Sequence, residues 1–162
     1  MAKHLVDVEI NAFEYDANKN RSIAKRTVQV EVDDDFQIDG VSMPTPSYAF
    51  VSVNPMTKDA KRLPGNGEMV APYFGTAFNV TWEYKLLNAA QYKLIYDAYV
   101  KSTIEKKDMF HKIKTIDMNT GEHRELTIYT ESSFGVKPYM MKDGISYFRD
   151  VTLSMVDKAG EV

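Results

Sequence analysis

The segment FNVTWEYKLLNAAQYKLIYDAYVK, from Phe78 to Lys101, constrains the fold more than any other stretch of this chain. Phe78, Val80, Trp82 and Tyr84 alternate with Asn79, Thr81, Glu83 and Lys85, so an extended backbone turns one face apolar and the other polar. That is the pattern of a half-buried strand. Directly after it, Asn88 can cap a helix whose third residue is Gln91, in the manner of a capping box. Gln91, Leu94, Ile95, Ala98 and Tyr99 then share one helical face, and the spacing predicts a helix over about residues 88–101. Phe78, Val80, Trp82, Tyr84, Leu94 and Ile95 are therefore the expected fold nucleus. Trp82 and the set Tyr92, Tyr96 and Tyr99 read as packing residues rather than ligand contacts.

Other strands are expected to assemble around this pair. Val6, Val8, Ile10 and Ala12 alternate with Asp7, Glu9 and Asn11, and Val28, Val30 and Val32 repeat the pattern. With the polar connection DANKNRS at 16–22 between them, they form a long β-hairpin over 5–32 with an exposed tip. Asp33, Asp34 and Asp35 lack the glycine-punctuated spacing of a calcium loop and are expected to be a solvated turn. FQIDGVSM at 36–43 reads as strand broken at Asp39-Gly40, a dipeptide suited to a tight turn, and Pro44 and Pro46 interrupt pairing before Tyr48–Val53 resumes it. Residues 56–67 have neither period and read as a loop long enough to reach a neighbouring subunit or ligand. After the helix, 102–108 is expected to return the chain to a hairpin of 110–118 and 122–130 around Asn119-Thr120-Gly121. Residues 132–144 read as irregular, and Tyr147, Arg149, Val151, Leu153 and Met155 as one face of a last strand. The sum is one domain, residues 1–162, with a β-rich core over 36–157. Its expected class is mainly β: an antiparallel sandwich or barrel of about seven to nine strands with one packed helix.

The chain carries few signs of chemistry. It has no Cys, which removes disulfides and thiolate sites and fits a reducing compartment. Its three His, at 4, 111 and 123, have no metal-ligand spacing, although His111 and His123 could meet across the 110–130 hairpin. PGNGEMVA lacks the Lys-Ser/Thr ending of a phosphate loop, and Ser132-Ser133-Phe134-Gly135 lacks the first Gly of a nucleophile elbow. No catalytic, metal or cofactor-binding residues are assigned, and an enzyme is not expected. The balance of 20 Lys and Arg against 23 Asp and Glu leaves no basic footprint for gripping phosphates, and no apolar run reaches the ~18 residues of a membrane span. The 10 Tyr and 9 Met suit protein interfaces. Asn18, Lys19, Asn20 and Arg21 at the hairpin tip, Lys58, Lys61 and Arg62 in the loop, and Tyr139, Met140 and Met141 are the candidate inter-subunit contacts.

From Gln37 to Val156 the chain resembles a family of small tail proteins of siphophages and prophages of Gram-positive hosts. The resemblance is carried by QIDGVSMPTPSYAFVSV at 37–53, GNGEMV at 65–70, FNVTWEYKLLNAAQYKLIYDAYV at 78–100, the D-x-x-T-G hairpin at 117–121 and YFRDVTLSMVD at 147–157, in family order. An N-terminal hairpin precedes the shared part, and the segment after Tyr129 departs from the family's Gly-Asp-Arg-Ser stretch. The resemblance implies a tail-tube-like fold and a structural subunit of the tube or tip, in the virion tail after assembly in the host cytoplasm. It implies partners too: the chain itself in a ring or stacked rings, other phage tail proteins, and DNA in transient, non-specific passage. The mild acidity is compatible with a channel that repels phosphates. A different class of reading is a carbohydrate- or receptor-binding β-sandwich of the adsorption apparatus, with exposed Tyr or Trp82 as a stacking platform.

Overall fold

Local alternation builds most strands, and a few departures from it bend them around a core. The computed structural model describes residues 3–57, 61–71, 73–130 and 138–157. Eleven strands are β1 (Lys3–Tyr15), β2 (Arg21–Ile38), β3 (Val41–Met43), β4 (Tyr48–Thr57), β5 (Lys61–Arg62), β6 (Met69–Val70), β7 (Tyr73–Asn88), β8 (Phe110–Ile116), β9 (His123–Thr130), β10 (Pro138–Lys142) and β11 (Ile145–Asp157). Nine of them form one antiparallel sheet in the order β1-β2-β8-β9-β11-β7-β4, with β3 added to β2 and β10 to β11. The sheet curls into a half-barrel, so the architecture is mainly β with one packed helical segment. It is a single curled sheet rather than two stacked ones.

The strand part of the nucleus read from sequence lies on β7, next to the edge strand β4, and faces the core. Phe78, Val80, Trp82 and Tyr84 are all buried, and so are Val151, Leu153 and Met155 on the neighbouring strand β11. Phe36 meets the Trp82 ring edge-on at 5.6 Å, the indole Nε1–H donates to Thr115 Oγ1 at 2.9 Å, and Tyr84 Oη donates to the Pro44 carbonyl at 2.8 Å. Burial pushes the Tyr84 phenol far above its ordinary pKa. At Lys85-Leu86 and, opposite, Arg149-Asp150, both strands present two consecutive exposed residues before Leu87 and Phe148 turn inward. The in–out phase slips by one in both strands at the same level, so pairing register survives while the buried face changes target. Asp150, at φ 53°, absorbs part of the bend. This corrects the expected face of β11: Arg149 is exposed, and Phe148 takes the inward place against Tyr92 at 4.9 Å.

The helix starts as the residues dictate. Asn88 Oδ1 accepts from Gln91 N–H and Gln91 Oε1 accepts from Asn88 N–H, both at 2.9 Å, closing the capping box on α1 (Ala89–Tyr96). It does not stop at residue 101. A π-helical turn (Asp97–Lys101) leads into α2 (Ser102–Lys106), and Lys107 at φ 54° ends it, so 102–106 continue the helix instead of returning the chain. The Thr103 hydroxyl supports that extension by donating to the Tyr99 carbonyl at 2.7 Å. The helix packs on β1, β2, β7 and β11; Ile95 and Tyr99 enter the main core, while Ala90 joins Val8, Ile10, Val30 and Val32 in a second cluster. Leu94 and Ala89 touch both.

Several boundaries also move. The hairpin pairs Lys3 with Asp33 through Tyr15 with Arg21, and β2 runs on to Ile38. The acidic run is therefore inside a strand, not a solvated turn: Asp33 is buried and accepts from Asp35 N–H at 3.0 Å and Thr45 Oγ1 at 3.3 Å, and Asp34 accepts from Ser42 Oγ. These local acceptor bonds sit at the irregularity between Asp33 and Gln37 where β2 bends toward β3. Asp39 and Gly40, both at positive φ, make the tight turn the sequence anticipates. Within residues 56–67, read as loop, Lys61–Arg62 form β5 and pair with Met69–Val70 as the small β5–β6 hairpin, and residues 138–142, read as irregular, hold β10. Ser132 to Gly135 lie outside the described residues. No helix of the described residues is long and apolar enough to cross a membrane.

Candidate interaction surface

Three exposed regions gather the residues singled out from sequence. The first is the hairpin tip. Asp16 Oδ1 accepts from the backbone N–H groups of Asn18 and Asn20, both at 2.9 Å, and the Lys19 amide donates to the Asp16 carbonyl at 2.9 Å. These bonds hold Lys19 at φ 60° and order the tip. Asn18, Lys19, Asn20 and Arg21 are all exposed there, as read from sequence. The Arg21 guanidinium lies over the Phe13 ring at 5.4 Å, and Phe13 pairs with Ile23 as Tyr15 does with Arg21. Tyr15 and Ile23, 58% and 62% exposed, make this end of the hairpin apolar on its outer face. Sequence reasoning missed them, although Phe13 and Tyr15 fall on the strand parity of Asp7, Glu9 and Asn11.

The second region is the β5–β6 hairpin. Arg62 Nη1 donates to the Gly67 carbonyl at 2.9 Å and Leu63 N–H to Glu68 at 2.7 Å, so Lys61 and Arg62 are held at the surface beside exposed Met69. Lys58 lies outside the described residues. The third is β10, where Tyr139, Met140 and Met141 are all exposed and the Arg149 guanidinium lies over the Tyr139 ring at 4.4 Å. Leu86, paired with Arg149 across β7 and β11, extends this apolar patch. The three regions stand on separate elements and do not converge on one pocket.

Between them run two open strand edges. β1 closes one end of the sheet order and β4 the other, and neither has a further strand beside it among the described residues. On β1 the Phe13 amide donates to the Gly144 carbonyl at 2.9 Å, and on β4 the Ala49 carbonyl accepts from Met118 N–H at 2.8 Å. Exposed Tyr48 and Val53 lie on β4; the Tyr48 hydroxyl donates to Asn119 Oδ1.

One constellation around the buried His111 has the outline of a catalytic relay. Asp39 Oδ2 is 2.7 Å from His111 Nδ1, His111 Nε2 is 2.6 Å from Thr103 Oγ1, and Lys106 Nζ is 3.5 Å from Asp39. Burial alone would raise the Asp39 pKa, but hydrogen bonds from His111 and the Lys112 amide, with the charges of His111 and Lys106, outweigh it and hold the carboxyl below its ordinary range. The imidazole is buried and stacked on Tyr99 at 5.7 Å. With the Thr103 hydroxyl directed at the Tyr99 carbonyl, the array ties the β2–β3 turn, β8 and the helix together. His111 and His123, which the hairpin could have brought together, do not meet: His111 pairs with Ile128 and His123 with Ile116, near opposite ends of the β8–β9 hairpin. Among the described residues no group of three or more His, Asp or Glu side chains could hold a metal ion. Trp82 has no exposed surface to offer a ligand. No protein-family model matches this chain, and no curated protein is significantly similar to it.

Proposed function

We propose that this chain is a structural subunit of a bacteriophage tail, in the tube or at its tip, that assembles with copies of itself around a DNA channel. The observation that carries the reading is the half-barrel whose outer strands, β1 and β4, have no further strand beside them among the described residues. Soluble monomers blunt such edges, because unpaired N–H and C=O groups recruit strands from other chains. A subunit that completes its sheet in the next copy has a use for them. The ordered hairpin tip, the β5–β6 hairpin and the Met-rich β10 supply contacts beyond the edges. The sequence resemblance over 37–156 adds the tail, the virion location, and other tail proteins as partners.

The carbohydrate-binding alternative loses its Trp82 platform to the core and keeps only scattered exposed Tyr. Size-exclusion chromatography with light scattering, followed by negative-stain imaging, tests the proposal. Rings, stacked rings or tubes are expected as concentration rises. A strict monomer at high concentration, with no assemblies on the grid, would overturn it.

A further inference from the structure

Between the helix and the β2–β3 turn lies a pocket of about 300 Å³, walled by Ile38, Val41, Leu94 and Ala98. Three charged groups border it: the carboxylates of Asp39 and Asp97 and the ammonium of Lys106. Asp39 is already engaged by His111, Lys106 and the Lys112 amide. The Asp97 carboxylate has no hydrogen bond or ion pair among the described residues, and the neighbouring Ser102 hydroxyl oxygen is buried without a partner. The π-helical turn, a feature that concentrates at functional positions, starts at Asp97 and ends against Ser102. An apolar slot, an unused carboxylate and an unsatisfied hydroxyl together suit an ammonium head on an aliphatic stem, whose methylenes pack while its charge pairs.

We propose that this pocket receives Lys19 from the hairpin tip of a second copy of the chain. Lys19 is the residue that the Asp16 turn holds at the end of the hairpin, so little backbone freedom is left to lose on docking. Arg21 is drawn back over Phe13, which leaves Lys19 as the forward charge of the tip. Within one chain the contact is closed off. The tip and the pocket sit at opposite ends of the 18-residue β2, on the order of 50 Å apart at the rise of a strand. The two surfaces differ, so the contact is head-to-tail and propagates: a ring if the rotation closes, a filament if it does not. This rests on the self-assembly reading and names one contact within it.

The chain's lack of Cys makes the test clean. A Lys–Asp pair holds its Cα atoms farther apart than a disulfide spans, so Lys19→Cys and Asp97→Cys are joined by a short bis-maleimide. The double variant should give a ladder of covalent multimers, and a mixture of the two single variants should give dimers only. Lys19→Glu or Asp97→Lys alone should weaken assembly at least tenfold in concentration, and Lys19→Glu combined with Asp97→Lys should restore it, with circular dichroism confirming the fold of each. No cross-links from the double variant at concentrations where it assembles by light scattering, unchanged assembly of Lys19→Glu, or dimers from Lys19→Cys alone, overturns the contact and leaves the tail reading standing; a wild-type monomer overturns both. If n-butylamine shifts the amide resonances of residues 94–106 while Lys19→Glu assembles normally, the pocket binds free amines and the docking assignment fails.

Discussion

Replacing Trp82 by Ala tests whether the centre of the half-barrel carries the fold. Trp82 is fully buried, and a large aromatic side chain in that position removes roughly 150–250 Å² from water. At about 25 cal/mol per Å² the transfer amounts to roughly 4–6 kcal/mol, of which the remaining methyl keeps a part; Trp-to-Ala replacements in packed cores cost about 3–5 kcal/mol. The Thr115 hydroxyl then loses its indole donor and keeps only a 3.4 Å approach to the Ile116 carbonyl, which adds about 1 kcal/mol. The expected cost is about 4–6 kcal/mol, a large share of the roughly 5–15 kcal/mol that holds a domain together. Trp82→Phe keeps most of the ring packing against Phe36 and loses the hydrogen bond, for an expected cost of about 1–3 kcal/mol. Urea titrations of monomeric protein followed by far-ultraviolet circular dichroism measure both. As the only Trp in the chain, Trp82 also reports unfolding of the parent directly, by a red shift of its fluorescence. A cost below about 1 kcal/mol for Trp82→Ala, or equal costs for Ala and Phe, would refute the packing argument.

Three further outcomes are expected. Asp39, held below the ordinary aspartate value of 3.8, stabilises the fold above that pH, and its contribution is lost as pH falls through the depressed folded value; Asp39→Asn should flatten the acid limb of a stability-versus-pH curve below about pH 4 while lowering stability at neutral pH. Gly144→Ala places a methyl onto the Phe13 carbonyl at a positive φ, whereas Gly40→Ala meets open space at a similar φ. Gly40→Ala should cost about 1–2 kcal/mol and Gly144→Ala distinctly more, with faster hydrogen exchange around Phe13, and equal melting temperatures would remove the hairpin–turn contact from the account. Val53→Lys puts a charge on the open β4 edge at a half-exposed position, so stability should stay within about 0.5 kcal/mol while assembly by light scattering drops sharply. Unchanged assembly would take β4 out of the interface.

Short-range pattern carried much of this protein. The alternation of Phe78 to Tyr84, the Asn88–Gln91 capping box, the valines of the N-terminal hairpin and the Asp39-Gly40 turn each depend on residues within a few positions of one another. Their structural outcome was legible because backbone pleat, helical period and turn geometry are local properties. The exposed tip residues Asn18 to Arg21 were legible for the same reason. What the linear order could not contain was the partner of each face. The burial of Asp33 depends on Thr45 and on the bend toward β3. The survival of the helix through 102–106 leaves Thr103 against His111 and Lys106 beside Asp39. The phase slip shared by β7 and β11, which turns Arg149 out and Phe148 in, exists only because two strands some 60 residues apart bend at the same level. The pocket between the helix and Asp39 likewise appears only when segments distant in sequence pack. Sequence alone therefore determined that a half-buried strand through Trp82 runs directly into a helix capped at Asn88. Tertiary structure decided that the sheet stops half-way round, because closure depends on long-range pairing and bulge positions that local propensity does not encode.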